Sequence, residues 1–222
     1  MRLAAVIPAF NEGSRIGSVI QAVAPYVHAV IVVDDGSHDE TASVAASHGA
    51  TVLTHRENCG AGAATMTGLD AARRMEFDAV ITIDADGQHN PADIPRLIES
   101  LQTEKSDLVI ANRFGQKNSI PTIRRLFNAI GNVVTFAATG MYLSDSQCGF
   151  KLFGPKALQE VDLKMSGFEF CTEIIREAVQ NKWKVTSIPT KVVYSDYTLA
   201  KGQSFAGGVQ TALKILLRSF LR

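Results

Sequence analysis

The sequence predicts an α/β fold with a mostly parallel central sheet and helices on both faces. Three observations carry that expectation. Short apolar runs alternate with helix-length segments through the first 113 residues. Gly, Pro and polar clusters separate them at the close spacing of strand–helix–strand units, which favour parallel pairing. A chain of 222 residues, 46% hydrophobic and 20% charged, is long and apolar enough to bury a sizeable core and is not disordered.

Residues 3–8 (LAAVIP) read as the first strand and about 14–24 as a helix. Residues 29–35 (AVIVVDD) form the next strand, and Ser37 and Asp39 are candidate caps for a helix over roughly 39–48. A third strand at 50–55 (ATVLTH) precedes a helix at 62–75. The apolar run at 79–83 is a central strand, followed by a helix starting near Pro91, where proline suits a first turn. Residues 107–113 (DLVIANR) are the fifth strand. Residues 148–153 make a further strand, and a helix begins near 170.

In such sheets ligands bind beyond the carboxyl ends of the strands. The polar residues gather there: PAFNE after strand one, Asp34-Asp35-Gly36-Ser37 after strand two, Asp84-Ala85-Asp86 after strand four, Asn112-Arg113 after strand five. Carboxylates at i and i+2 share a side while the chain stays extended, and their repulsion calls for a cation or several donors. A hard divalent ion shared with substrate phosphates resolves it. The bland alternative is a solvated loop whose aspartates cap the next helix. The pattern points to a nucleotide on the rim, its diphosphate bridged by metal to the carboxylates.

Formal net charge is zero but polarised. Residues 1–110 hold 7 Lys+Arg against 15 Asp+Glu, and residues 111–222 hold 15 against 7. An acidic half suits a metal and a basic half suits phosphates or an anionic surface; no nucleic-acid partner is expected. Cys59, Cys148 and Cys171 are scattered without a C-x-x-C, which argues against a zinc site or disulfide framework and for a reducing cytoplasm. MRLAAVIPAFNE, broken by Pro8 and followed by Glu12, is a strand and loop rather than a signal peptide. GAGAAT (60–65) invites a dinucleotide fingerprint, but Thr65 stands where that motif needs a small residue. A tight turn with small-residue helix packing explains it better.

Taken in order and spacing, PAFNE, VDDGS, DADGQH and DSQCGFKLF (145–153) resemble family-two glycosyltransferases of the GT-A fold. The nearest branch is that of dolichyl-phosphate mannose synthase and polyprenyl-phosphate glycosyltransferases, over roughly residues 3–205. The resemblance implies inverting transfer from a nucleotide-diphosphate sugar (GDP- or UDP-linked) with Mg²⁺ or Mn²⁺. It places the nucleoside at Pro8, Phe10, Glu12, Val33 and Asp35. Relatives often carry Tyr where Phe10 stands, so any hydroxyl contact is lost. Metal and phosphates fall to Asp84, Ala85, Asp86 and Gln88, with Asp84, Asp86 and Gln88 as metal ligands and Asp86 central to catalysis. Arg113 is matched to donor phosphate and Arg124 to acceptor phosphate. Lys201 and Ser204 lie in a loop, 194–205, that resembles a lid closing about Gly202. Relatives commonly read G-x-S-K there, and Phe205 replaces the lysine.

The expected chemistry is departure of a nucleoside diphosphate, its charge stabilised by a divalent ion and Arg113, through an oxocarbenium-like state. An alcohol acceptor needs a general base, whereas a phosphate monoester is already anionic. Asp145 orients acceptor or sugar, acts as base, or merely caps a turn. Glu169 and Glu173, four apart, are either a pair beside the sugar or an ordinary acidic helix start. His89 is expected behind the metal ligands or as a cap.

Residues 126–144 are uncharged for 19 positions after Arg124-Arg125, but Asn128, Asn132, Thr135 and Thr139 are too polar for a span. A partly buried helix with one face toward acceptor or lipid is expected. Residues 1–204 form the catalytic unit, with a nucleotide-binding half to about 113 and an acceptor half from about 114. Residues 205–222 read as a basic amphipathic helix, with Lys214, Arg218 and Arg222 every four residues, suited to an anionic interface. The leading expectation is a polyprenyl-phosphate glycosyltransferase bound peripherally to the cytoplasmic face of a membrane. A soluble transferase acting on a sugar hydroxyl would need a base and no lipid. A non-catalytic nucleotide-sugar binding module would bind donor without turnover.

Overall fold

The structure, a computed structural model, describes residues 1–116, 118 and 120–193. Seven strands form one sheet in the order β3-β2-β1-β4-β6-β5-β7. They are β1 Leu3–Ala9, β2 Ala29–Asp34, β3 Thr51–Thr54, β4 Ala79–Thr82, β5 Leu108–Asn112, β6 Lys151–Phe153 and β7 Val185–Pro189. The strands β1 to β4 pair in parallel, as do β5 and β7, while β6 runs antiparallel to both β4 and β5. The sheet is therefore mostly parallel with one reversed strand. Because β6 is reversed, its amino-terminal loop lies at the rim where β4 and β5 have their carboxyl ends. That topology joins the 145–150 segment to the site.

β1 (LAAVIPA) is buried along nearly its whole length, as a strand covered on both faces must be. The helices are α1 Ile16–Val23, α2 Thr41–Ser47, α3 Ala61–Arg74, α4 Ile94–Thr103, α5 Thr122–Thr139, α6 Pro155–Glu160 and α7 Phe170–Gln180. Pro91 opens a short 3₁₀ turn that leads into α4, capped by Asn90 Oδ1 accepting from the Ala92 N–H at 3.1 Å. α5 stops at Gly140, whose φ of +74° gives a left-handed C-cap.

The glycines of the 60–68 segment serve packing. A Cβ at Gly68 would sit 2.3 Å from Val6 Cγ1, so α3 lies directly on β1. A Cβ at Gly62 would sit 2.1 Å from the Met165 carbonyl oxygen, and the Gly62 N–H donates to the Ser166 carbonyl at 2.7 Å. The 60–62 turn is thus pressed against loop 165–167, as the small-residue packing explanation expects. β4 ends at Thr82 and residues 85–87 turn, with Gly87 at φ +74°. The two acids of Asp84-Ala85-Asp86 therefore share a turn, and the same-side argument from an extended strand does not apply. No described helix is long and apolar enough to cross a membrane. The 205–222 helix and the 194–205 lid lie outside the described residues.

Candidate active site

The first two loops are laced together. The Asn11 N–H donates to Ser37 Oγ at 2.9 Å, and Asn11 Oδ1 accepts from the His38 N–H at 2.8 Å. The Glu12 N–H donates to Thr41 Oγ1 at 2.8 Å, and the Gly13 N–H to Asp39 Oδ2 at 2.9 Å. Asp39 also accepts the Thr41 N–H at 3.0 Å, and Ser37 accepts from loop one. Glu12 is buried, Phe10 is 36% exposed and packs in a T-shaped arrangement with His38, and Pro8 pairs with Val33 inside the sheet.

Asp35 is buried and fully engaged. Oδ1 bonds His55 Nδ1 at 2.7 Å and accepts the Cys59 N–H at 2.9 Å, while Oδ2 accepts the Gly60 N–H at 2.8 Å. Asp35, His55 and Cys59 are the one group of three metal-binding side chains among the described residues with ligand atoms within 4.8 Å of one another. The second His55 nitrogen bonds Thr67 Oγ1 at 3.0 Å, so the cluster already works as a hydrogen-bond network holding loop 55–60.

The β4 tip carries Asp84, Ala85, Asp86 and Gln88. Asp86 Oδ1 accepts the Gln88 N–H at 2.9 Å. His89, its side chain wholly buried, packs on Phe150 at 5.2 Å and reaches Asp84 Oδ2 with Nε2 at 3.3 Å. Protein crowds Asp84 enough that burial alone would raise its pKa. The His89 hydrogen bond, then the charges of His89, Arg113 and Lys151, outweigh this and hold the carboxyl below its ordinary value. Asp86 moves the other way: burial and the charge of Asp84 push it up, Glu12 adds to that, and the Gln88 bond and His89 oppose it only in part. Asp84, Asp86, Glu12 and Arg113 thus act on one another across the rim.

Gly149 sits against this pair. A Cβ there would lie 2.4 and 2.5 Å from the two Asp84 carboxylate oxygens. Thr82 Oγ1 donates to the Gly149 carbonyl at 2.7 Å, tying the β4 tip to the loop before β6. The glycine of DSQCG is therefore required by the first aspartate of DADGQH, though 65 residues separate them.

Arg113, after β5, is fixed by Asp145. Its N–H and Nε donate to Asp145 Oδ2 at 2.9 and 2.8 Å, and Nη2 donates to Oδ1 at 2.7 Å. Nη2 also reaches Asn128 Oδ1 at 3.1 Å. Asp145 is 1% exposed, so this is a buried bidentate pair whose carboxylate faces a guanidinium. Both of its oxygens accept from Arg113. Arg124 stands in the first turn of α5; Lys201 and Ser204 lie outside the described residues.

Glu173 is buried and accepts the Met165 N–H at 2.8 Å and the Lys164 N–H at 3.1 Å, a loop-holding role. Glu169 precedes α7, also buried, its carbonyl accepting the Glu173 N–H. Sequence reasoning missed Lys151, which is fully buried on β6. It donates to the Cys148 carbonyl, lies 3.6 Å from Cys171 Sγ, and acts on Asp84 through its charge. Its signal was a lone cation inside an apolar run, GFKLF.

Two carboxylates and a carboxamide are an all-oxygen donor set, and the mutual conflict of Asp84 and Asp86 is what a hard divalent cation relieves. The residues present fit such an ion.

The family model of glycosyl transferase family 2 matches residues 4–162. The chain is 32% identical over 219 residues to an uncharacterized protein of Methanocaldococcus jannaschii, covering 96% of this chain and 90% of that one. It is 28% identical over 235 residues to UDP-N-acetylglucosamine–dolichyl-phosphate N-acetylglucosaminyltransferase of Methanococcus voltae, covering 96% and 94%. Polyprenol monophosphomannose synthase of Mycolicibacterium smegmatis is 26% identical over 227 residues, with 96% and 84% covered. Among solved structures, glucosyl-3-phosphoglycerate synthase of Mycobacterium tuberculosis, crystallised with Mn²⁺, UDP and phosphoglyceric acid, superposes at a TM-score of 0.76 and 21% identity. That match covers 98% of this chain and 78% of the other. An α/β sheet of GT-A type, with acids and an arginine gathered on its carboxyl rim, belongs here to a glycosyltransferase of glycosyl transferase family 2.

Proposed function

We propose that this glycosyltransferase moves a sugar, with inversion, from a nucleotide-diphosphate sugar to a polyprenyl phosphate of dolichyl type. The reaction depends on Mg²⁺ or Mn²⁺ and takes place at the cytoplasmic face of a membrane, with the protein bound peripherally. The observation that carries the reading is the meeting of Asp84 and Asp86 with the Arg113–Asp145 pair on one rim. Relatives named for transfer to dolichyl, polyprenol and undecaprenyl phosphates support the acceptor class.

In this reading the loops after β1 and β2, with Pro8, Phe10, Glu12, Val33 and Asp35, take the nucleoside. Asp84, Asp86 and Gln88 hold the divalent ion, with Ala85 beside the phosphates. The ion supplies neutralisation of the diphosphate leaving group. Arg113, held along one edge by both Asp145 oxygens, presents a fixed positive charge to donor phosphate without reorganising. Asp145 is then a positioning residue. A phosphate monoester attacks as an anion and needs no general base, which agrees with a rim whose buried Asp145 is already paired. Arg124, Lys201 and Ser204 serve the acceptor and donor phosphates.

A donor screen tests this. Purified protein, Mn²⁺ and a short polyprenyl phosphate are incubated with UDP- and GDP-sugars, and a lipid-linked sugar is expected from one of them. Transfer only to sugar hydroxyls would establish the soluble-transferase alternative. Donor binding without any turnover would establish a binding module.

A further inference from the structure

Helix α5 is built inside out. Its buried positions are the polar Asn128 and Thr135. Asn132 Nδ2 donates to the Ser144 carbonyl at 2.7 Å, and Oδ1 accepts the Ser146 N–H at 2.9 Å. Thr135 Oγ1 bonds Thr172 Oγ1 at 2.8 Å, and Asn128 holds Arg113. The outward stripe is apolar: Ile123, Leu126, Ile130, Val133 and Phe136 are 46–67% exposed. Their spacing of three and four puts them on one side of the helix. Tyr142, 74% exposed, extends the stripe and meets Phe136 edge-on at 6.4 Å. A helix facing only water arranges these classes the other way round.

The charge carried by the helix itself has one sign. Arg124 and Arg125 stand near its amino-terminal end, and none of its residues is an acid. We propose that the outer face of α5 docks into the interface of an anionic lipid bilayer, with the stripe at the boundary of headgroups and acyl chains and the arginines among the headgroups. The proposal rests on the lipid-acceptor reading and deepens it. Asn128 joins the docked helix to Arg113, so a lipid-borne phosphate enters beside the arginine that binds phosphate. A second copy of the chain fits less well. Five half-exposed side chains offer on the order of 500 Å², below the ~800 Å² per partner of a stable interface.

The test is cosedimentation of the full chain with phosphatidylcholine vesicles, with and without phosphatidylglycerol. The variant is Leu126→Ser with Val133→Ser, which removes apolar surface and adds no charge. Anionic vesicles should lose at least about tenfold of the partitioning, while the melting midpoint stays within about 3 °C. The same loss should appear when residues 205–222 are deleted from both proteins, which separates α5 from the carboxyl-terminal helix. Unchanged partitioning of the variant would overturn the proposal. So would loss of a dimer in size exclusion with vesicle binding intact, or a midpoint lowered by more than about 5 °C, since the chain itself would then cover the face. Turnover of a short, water-soluble prenyl phosphate should be unaffected by the substitutions. No turnover of any prenyl phosphate by the unaltered chain, with the variant still losing vesicle binding, would remove the lipid-acceptor reading and leave the docking face standing.

Discussion

Gly149→Ala separates the site from the fold. The new Cβ would stand 2.4 Å from the nearest Asp84 oxygen and 2.7 Å from Asp84 Cγ, where ordinary contact begins at 3.4 Å. Asp84 must therefore withdraw by about 1 Å. The atoms in the way belong to the end of a short side chain, so the backbone need not move. The stability cost should fall at the low end of the ~1–3 kcal/mol of overpacked sites. The functional cost should be far larger, since ~1 Å of misplacement is worth about 100-fold in rate. Mn²⁺ affinity followed by electron paramagnetic resonance, beside a thermal melt, reads both. We expect Mn²⁺ binding at least about tenfold weaker with the midpoint lowered by only a few degrees. Full Mn²⁺ affinity in a folded Gly149→Ala protein would refute the reasoning that this glycine exists to admit Asp84.

Asp86→Ala should abolish metal-dependent transfer and leave the circular dichroism spectrum unchanged; retained transfer would remove the metal assignment. Because the Asp86 carboxyl is raised, its ionised form opposes folding above its unfolded pKa, and the penalty fades as pH falls through the folded value. Asp86→Asn should therefore raise the midpoint in EDTA at neutral pH and erase the rise that Mn²⁺ gives the unaltered protein. The lowered Asp84 carboxyl has the opposite sign: its contribution is present above the unfolded pKa and is lost as pH falls through the folded one. Asp145→Asn breaks a buried bidentate pair, so unfolding in urea should show a loss of about 3–5 kcal/mol and transfer should fall with it. Burial, with the Asp145 charge, pushes the Cys148 thiol up to about 12, and burial raises Cys171 as well. A thiol reagent at pH 8 should therefore modify only the exposed Cys59 in the native protein, and faster release of a second thiol would contradict the packing.

The parallel strands β1, β2 and β4 were legible because their residues are apolar on both faces. LAAVIP, AVIVVD and AVIT leave no solvent side, and strand boundaries moved by only a residue or two. β6 was legible as a strand but not as a reversed one, since three residues read alike in either direction. β7 escaped because VTSIP is half exposed at the sheet edge and lacks a solid apolar run. α6, six residues beginning at Pro155, is too short to show a period. Asp84, Asp86 and Arg113 could be placed on the rim from chain order alone. The grip of Asp145 on Arg113, 32 residues away, and the fit of Gly149 over Asp84 come from the β6 reversal, which no local pattern encodes. α5 was expected to turn one face outward, and its described residues do so, with the polar side inward.

The most direct measurement is an anomalous difference map from crystals grown with Mn²⁺ and a nucleoside diphosphate. The account predicts a manganese peak between the Asp84 and Asp86 carboxylates, with phosphate oxygens completing its shell toward Arg113. A peak at Asp35, His55 and Cys59 instead, or nucleotide bound on the rim with no metal near Asp86, would contradict it.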